Sequence, residues 1–281
     1  MARPVRIVTD STADVAPALK SAWDLTVVPL TVHMGGETYR DAVDLTAQQF
    51  YERLAREKEL PRTSQPSPAL FEDAYRSLLD AGYDVASIHI SSGLSGTYNS
   101  ATIAAQHFPK ECIRVLDSRI VSLAHLLVVR RAALLAQQGA DLDTVADAAV
   151  QDAEHGGLFA MVNTLEYLQR GGRIGGLSAF LGGLLSVKPI LGLKEGKVIA
   201  VERVRTRPKA LDRLVRLIAD QQPFSGPIIV GHGNDLEGGE QLRKKLAEAL
   251  PGVEILTGEI GPVVGTHAGP HAVGAGFIRQ P

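Results

Sequence analysis

Three stretches of the chain combine hydroxyl side chains with the start of an expected helix. Asp10-Ser11-Thr12 follows an apolar run, and Thr63-Ser64-Gln65-Pro66-Ser67-Pro68 precedes a helical pattern. Ser91-Ser92-Gly93-Leu94-Ser95-Gly96-Thr97 does both. A helix N-terminus offers unpaired N–H groups and the positive end of the helix dipole, so loops of this kind that converge can hold a carboxylate or a phosphate. Pro68 suits a first helical turn. The same hydroxyls also serve as plain helix caps, and the residue types alone leave both roles open.

Other chemistries fail on spacing. In Gly93-Leu94-Ser95-Gly96-Thr97 the second glycine comes one position too early for a nucleophile elbow. A hydrolase built on a Ser95–His267 dyad is therefore the weaker alternative. Gly231-His232-Gly233 begins like a dinucleotide loop, but Leu236 stands where the third glycine belongs. No phosphate-binding P-loop motif occurs. His267 and His271 are separated by Gly269-Pro270, which breaks the helix that a metal-binding pair would need, so no metal is expected.

The elements that must position the hydroxyl loops alternate between strand and helix, which predicts an α/β fold. Strands are expected at Val5–Val8, Leu25–His33, Val85–Ile90, Cys112–Leu116, Leu158–Val162, Pro227–Val230 and Val253–Leu256. A hairpin is expected from Lys188–Leu193 and Lys197–Val204, turning at Glu195-Gly196. Helices are expected near 46–58, 68–81, 97–107, 119–138, 142–154, 207–221 and 236–249. In open α/β sheets ligands favour the C-terminal ends of strands, where two of the three hydroxyl stretches fall. The division is expected near residue 155, giving α/β domains at 1–155, which carries the hydroxyl loops, and 156–281.

Composition narrows the partners. With 45% hydrophobic residues, 281 residues bury a sizeable core with room for a cavity. The net charge of -2 and 5% aromatics leave no footprint for nucleic acid. The single cysteine, Cys112, excludes an intramolecular disulfide and suits a reducing cytoplasm. The apolar part of the N-terminus is too short for a signal-peptide core, and no run has the length of a membrane span. The expected location is cytoplasmic. The most apolar segment, Leu177–Leu193, contains Gly182, Gly183, Lys188 and Pro189, and reads as a buried or cavity-lining helix followed by a strand.

Taken together, these segments resemble the DegV family along essentially the whole chain. The matching pieces in the first half are Ile7-Val8-Thr9-Asp10-Ser11-Thr12-Ala13-Asp14, Val28-Pro29-Leu30-Thr31-Val32, Thr63 to Pro68, and Ser91 to Ala101. In the second half they are Leu165-Glu166-Tyr167-Leu168, Arg170-Gly171-Gly172-Arg173-Ile174, Lys188-Pro189-Ile190-Leu191, Arg205-Thr206-Arg207, and Gly265-Thr266-His267-Ala268-Gly269-Pro270. Each is weakly specific alone, whereas their joint order is very specific.

The resemblance implies two α/β domains with a long-chain fatty acid held in a cavity between them. It implies a carrier without catalysis of its own and without a cofactor. The carrier would be the fatty-acid-binding subunit of a bacterial fatty acid kinase, whose separate ATP-binding kinase subunit phosphorylates the bound carboxylate for phospholipid synthesis. A lipid carrier or sensor with no kinase partner is the alternative. By resemblance, the carboxylate-binding residues fall on Thr63 and Ser95. The phosphotransfer or partner-facing residues fall on Arg170 and His267, with Arg173 and Arg205 as possible additions. Transient contact with a membrane surface is expected, with Leu177–Leu185 as its gate.

Two positions depart from the family pattern. Leu123-Ala124-His125-Leu126 replaces a small-residue stretch, which is expected to alter packing and chain-length preference. His271 stands where glycine is usual, and it is expected to be strained if that position requires positive φ.

Overall fold

The structure, a computed structural model, describes residues 3–175 and 187–281. The Leu177–Leu185 gate lies outside the described residues. In chain order the elements are β1 (Val5–Asp10), α1 (Pro17–Ala22), β2 (Thr26–Val28), β3 (Thr31–Met34), β4 (Glu37–Arg40), α2 (Ala47–Leu54), β5 (Arg62–Ser64), α3 (Pro68–Asp80), β6 (Asp84–His89), α4 (Thr97–Ala105), β7 (Ile113–Asp117), α5 (Ser122–Gln137) and α6 (Leu142–His155). They continue with β8 (Gly156–Met161), α7 (Glu166–Arg170), β9 (Lys188–Lys194), β10 (Lys197–Val204), α8 (Arg207–Ala219), β11 (Ile228–His232), α9 (Leu236–Ala249), β12 (Ile255–Glu259), α10 (Pro262–Ala268) and β13 (Val273–Ile278).

The fold is α/β, as expected. A parallel sheet orders β2-β1-β6-β7, and a small antiparallel sheet orders β4-β3-β5. The largest sheet orders β10-β9-β8-β13-β11-β12 and draws all its strands from Gly156 onward. Its pairs are antiparallel except β11 with β12. The segment expected as one strand over 25–33 is two, because Pro29 lacks an N–H to continue a ladder. The chain leaves the parallel sheet there and enters the small one.

Helix α5 joins the two halves. Its residues Leu123 to Val129 are all buried, so the helix is covered on every side there, and apolar but for His125. It shares one core cluster with Ile7 of β1 and Ile88 of β6 on one side, and with Ile229 of β11 and Ile278 of β13 on the other. The bulk of Leu123 is accommodated by glycines on the facing strands. A Cβ added to Gly231 would lie 2.6 Å from a Leu123 δ-carbon, and one added to Gly258 would lie 3.5 Å away.

The strand ends are tied by a buried polar network. Asp10 Oδ2 accepts from Ile90 N at 3.0 Å and pairs with His89 Nδ1 at 3.0 Å. Its Oδ1 accepts from Thr12 N at 3.1 Å and Thr12 Oγ1 at 2.5 Å. His89 Nε2 meets Ser87 Oγ at 2.7 Å, and Ser87 Oγ meets the Tyr75 hydroxyl at 2.8 Å. Burial opposes ionisation of Asp10, but the His89 hydrogen bond, with His125 and Thr12 nearby, holds its carboxyl down at about 2. At the 123–126 departure, His125 sits between Thr9 Oγ1 and Ser118 Oγ at 3.0 Å each. Burial lowers the His125 imidazole to about 4, so it is neutral at neutral pH.

His271 does adopt positive φ, at 62°. A left-handed backbone costs an L-residue roughly 1–2 kcal/mol, and glycine gives back about half of that as chain entropy. His271→Gly is therefore expected to raise unfolding free energy by about 0.5–1 kcal/mol. Urea denaturation checks this, and a destabilised variant would show that the imidazole makes compensating contacts.

Candidate ligand-binding site

A cavity of about 310 Å³ opens at the C-terminal ends of β1 and β6, between the two halves. One end is polar, with Thr63, Ser64, Gln65, Ser95, Arg173 and His267 lining it. The rest of the wall is largely aliphatic, with Leu123 of α5, Leu158 and Ala160 of β8, and Leu191 and Leu193 of β9. This split follows from strand geometry, because Leu158 and Ala160 alternate inward along one strand. The shape is that of a site for an elongated molecule with one polar head.

Thr63 is carried by β5, a short strand at the edge of the small sheet, rather than by a loop. Its register opposite Val32 fixes its direction. His267 comes from the last turn of α10, and its Nε2 lies 2.8 Å from Thr63 Oγ1. His267 Nδ1 is buried without a partner. A bare lone pair is cheaper to bury than an unpaired N–H, so the proton is assigned to Nε2. Nε2–H then donates to Thr63, which leaves the Thr63 hydroxyl proton free for an acceptor in the cavity. Burial lowers the His267 imidazole to about 4, and the Arg173 charge adds to this. His267 is thus a neutral donor at neutral pH and not the tunable charge that its residue type suggests.

Ser95 sits just ahead of α4. Its Oγ lies 2.8 Å from Thr97 Oγ1 and accepts from Thr97 N at 3.3 Å. Helix α4 has no side-chain cap at Gly96, and the Thr97 N–H at its start is taken by Ser95 Oγ. Gln65 donates from Nε2 to Ser100 Oγ at 3.0 Å and closes the side of this pocket. Arg173 Nε donates to Leu94 O at 3.1 Å and Nη1 to Gly171 O at 2.7 Å. Gly171 is packed directly against His267 Nδ1, with no room for a Cβ.

The cavity therefore gathers Thr63, Ser95, Arg173 and His267. It does not gather Arg170, which is exposed and pairs with Glu166 Oε1 at 2.9 Å. Arg205 is exposed and does not line the cavity. Nor does the Ser95–His267 dyad form, since His267 engages Thr63 and Ser95 engages Thr97. The Asp10–His89–Ser87 chain has the order of a catalytic triad, but Asp10, His89 and Ser87 are each 0% exposed and none lines the cavity. Gln65 carries no signal that sequence reasoning used. Among the described residues no cluster suited to a metal ion occurs, and no helix is long and apolar enough to cross a membrane.

These features define a class of α/β protein with an apolar pocket, headed by hydroxyls, between two units. The chain belongs to the DegV family: the profile described as uncharacterised protein, DegV family, matches residues 4–280. A DegV domain-containing protein of Halalkalibacterium halodurans is 37% identical, over 98% of this chain and 99% of its own. The fatty-acid-binding DegV family protein from Thermus thermophilus superposes with a TM-score of 0.92 at 36% identity, covering 99% of this chain and 100% of that one. A stearic acid-binding protein from Eubacterium ventriosum superposes at 0.89 with 30% identity, over 98% of each chain.

Proposed function

We propose that this protein binds a long-chain fatty acid in the cavity and presents its carboxylate to a separate ATP-binding kinase subunit. The observation that carries this reading is the cavity itself, with leucine walls and one polar end of hydroxyls, Arg173 and His267. Burying an acyl chain contributes about 0.8 kcal/mol per methylene, so the walls supply most of the gross affinity. Thr63 and Ser95 hold the carboxylate by charge-assisted hydrogen bonds. The 1–155 unit supplies both hydroxyls, and the 156–281 unit supplies His267 and Arg173. Fatty-acid-binding relatives of matching fold support the ligand class.

On this reading the ATP-binding subunit docks at the polar end, where a carboxylate oxygen attacks the γ-phosphorus of ATP and ADP leaves. The acyl phosphate carries more negative charge than the carboxylate, and Arg173 is the cation placed beside it. Arg170 and Arg205, on the surface, serve partner docking. The product feeds phospholipid synthesis in the cytoplasm, with ligand exchange at a membrane surface.

The test uses Arg173→Ala and His267→Ala with the cognate ATP-binding subunit. Both variants should keep bound fatty acid while acyl-phosphate formation falls at least about tenfold, the scale of one lost electrostatic contact. Wild-type phosphorylation by both variants would contradict the assignment.

A further inference from the structure

We propose that Ser91 and the tip of the β9–β10 hairpin form a latch between the two halves, which positions the Ser95 loop and gates ligand exchange. The exchange part rests on the fatty-acid reading above.

Ser91 is 0% exposed, although it opens a loop. Its Oγ donates to Gly196 O at 2.7 Å, across 105 residues, and accepts from Gly93 N at 3.1 Å. Gly196 is the hairpin turn residue at φ 75°, and it is buried. A Cβ added to Gly93 would lie 2.8 Å from Gly196 O, so loop and hairpin meet backbone to backbone. A second grip comes from Arg173, whose Nε holds Leu94 O at 3.1 Å.

The coupling to the site is direct. The Ser91 carbonyl accepts from Leu94 N at 3.0 Å and from Ser95 N at 3.1 Å. Any shift of Ser91 therefore moves Ser95, which lines the cavity. Ser91 is a positioning residue that acts through this turn. The α5 core joins the halves by apolar packing, which does not open cheaply. The hairpin contact is polar and small, the kind of contact that breaks and reforms without exposing a core.

The geometry supplies its own test. A Cβ built on Gly196 lies 3.7 Å from Ser91 Cβ, within the roughly 3.5–4.5 Å that a disulfide requires. Ser91→Cys with Gly196→Cys, on a Cys112→Ser background, is oxidised with oxidised glutathione and reversed with dithiothreitol. Exchange of bound fatty acid against excess isotope-labelled fatty acid is measured in both states, with hydrogen exchange at the Leu94 and Ser95 amides. The oxidised form should exchange ligand at least tenfold more slowly than the reduced form and protect both amides. Ser91→Ala should exchange faster than wild type by about fivefold, the equivalent of one ordinary hydrogen bond. Equal ligand exchange in the oxidised and reduced forms would overturn the gate. Equal amide protection in those two forms would overturn the latch itself, with or without a ligand. A wild-type protein that takes up no fatty acid would overturn the ligand reading and the gate with it, while the amide result still decides the latch.

Discussion

Replacing Thr63 by valine and Ser95 by alanine is expected to cut the preference for a fatty acid over the matching fatty alcohol by about a hundredfold or more. Each hydroxyl offers one charge-assisted hydrogen bond, worth about 1.5–3 kcal/mol, so the pair accounts for a discrimination on the order of a hundredfold or more. The alcohol affinity should fall far less, because the acyl chain is held by the leucine walls. His267 enters through Thr63. In the valine variant the imidazole loses its partner at 2.8 Å, and the polar end keeps Ser64, Gln65, Arg173 and the freed His267 N–H. Competition binding with an acid and alcohol of equal length measures the ratio. An unchanged ratio would place the carboxylate elsewhere.

Asp10→Ala is expected to be the most damaging single change to stability. It strips partners from His89, Ile90 N and Thr12 at once, all of them buried. Each buried donor left unpaired costs about 1–3 kcal/mol, so several at once are a large share of the roughly 5–15 kcal/mol that holds a domain together. The effect reaches the site because Asp10 ties the end of β1 to Ile90, and Ile90 leads into the Ser91–Ser95 loop. The pH sign follows from the depressed carboxyl. The contribution of Asp10 is complete above its unfolded value of 3.8 and is lost as pH falls through about 2. Urea unfolding at pH 7 measures the loss, and a change below about 1 kcal/mol would mean that the network is not what fixes these strand ends.

What the sequence revealed depended on how local its reasons were. Helix α3 was legible because Pro68 marks its start and its pattern needs no distant partner. Strand β13 was not, because Gly274 and Gly276 interrupt its apolar run. Their reasons lie across the molecule, where a Cβ on Gly274 would meet Ala160 and one on Gly276 would meet the α5 backbone. Helix α10, which carries His267, also starts with a proline, Pro262, but it is only seven residues long, too short for an apolar period to show. The order of motifs pointed to Thr63 and Ser95 only through family resemblance. The Thr63–His267 pairing spans 204 residues, a distance that no spacing rule reaches. Arg170 and Arg173 look alike in sequence. Helix α7 ends at Arg170, and the turn beyond it carries Arg173 alone into the cavity. Burial, which only the fold supplies, keeps the imidazole of His267 neutral at neutral pH.

The central claim is that the cavity holds one fatty acid by its carboxylate end. Mass spectrometry of the organic extract from purified, denatured protein tests it most directly, with delipidated protein reloaded as the second arm. The account predicts close to one long-chain fatty acid per chain, in the extract or after reloading. Protein that yields none, and that fails to take up added fatty acid, would contradict it.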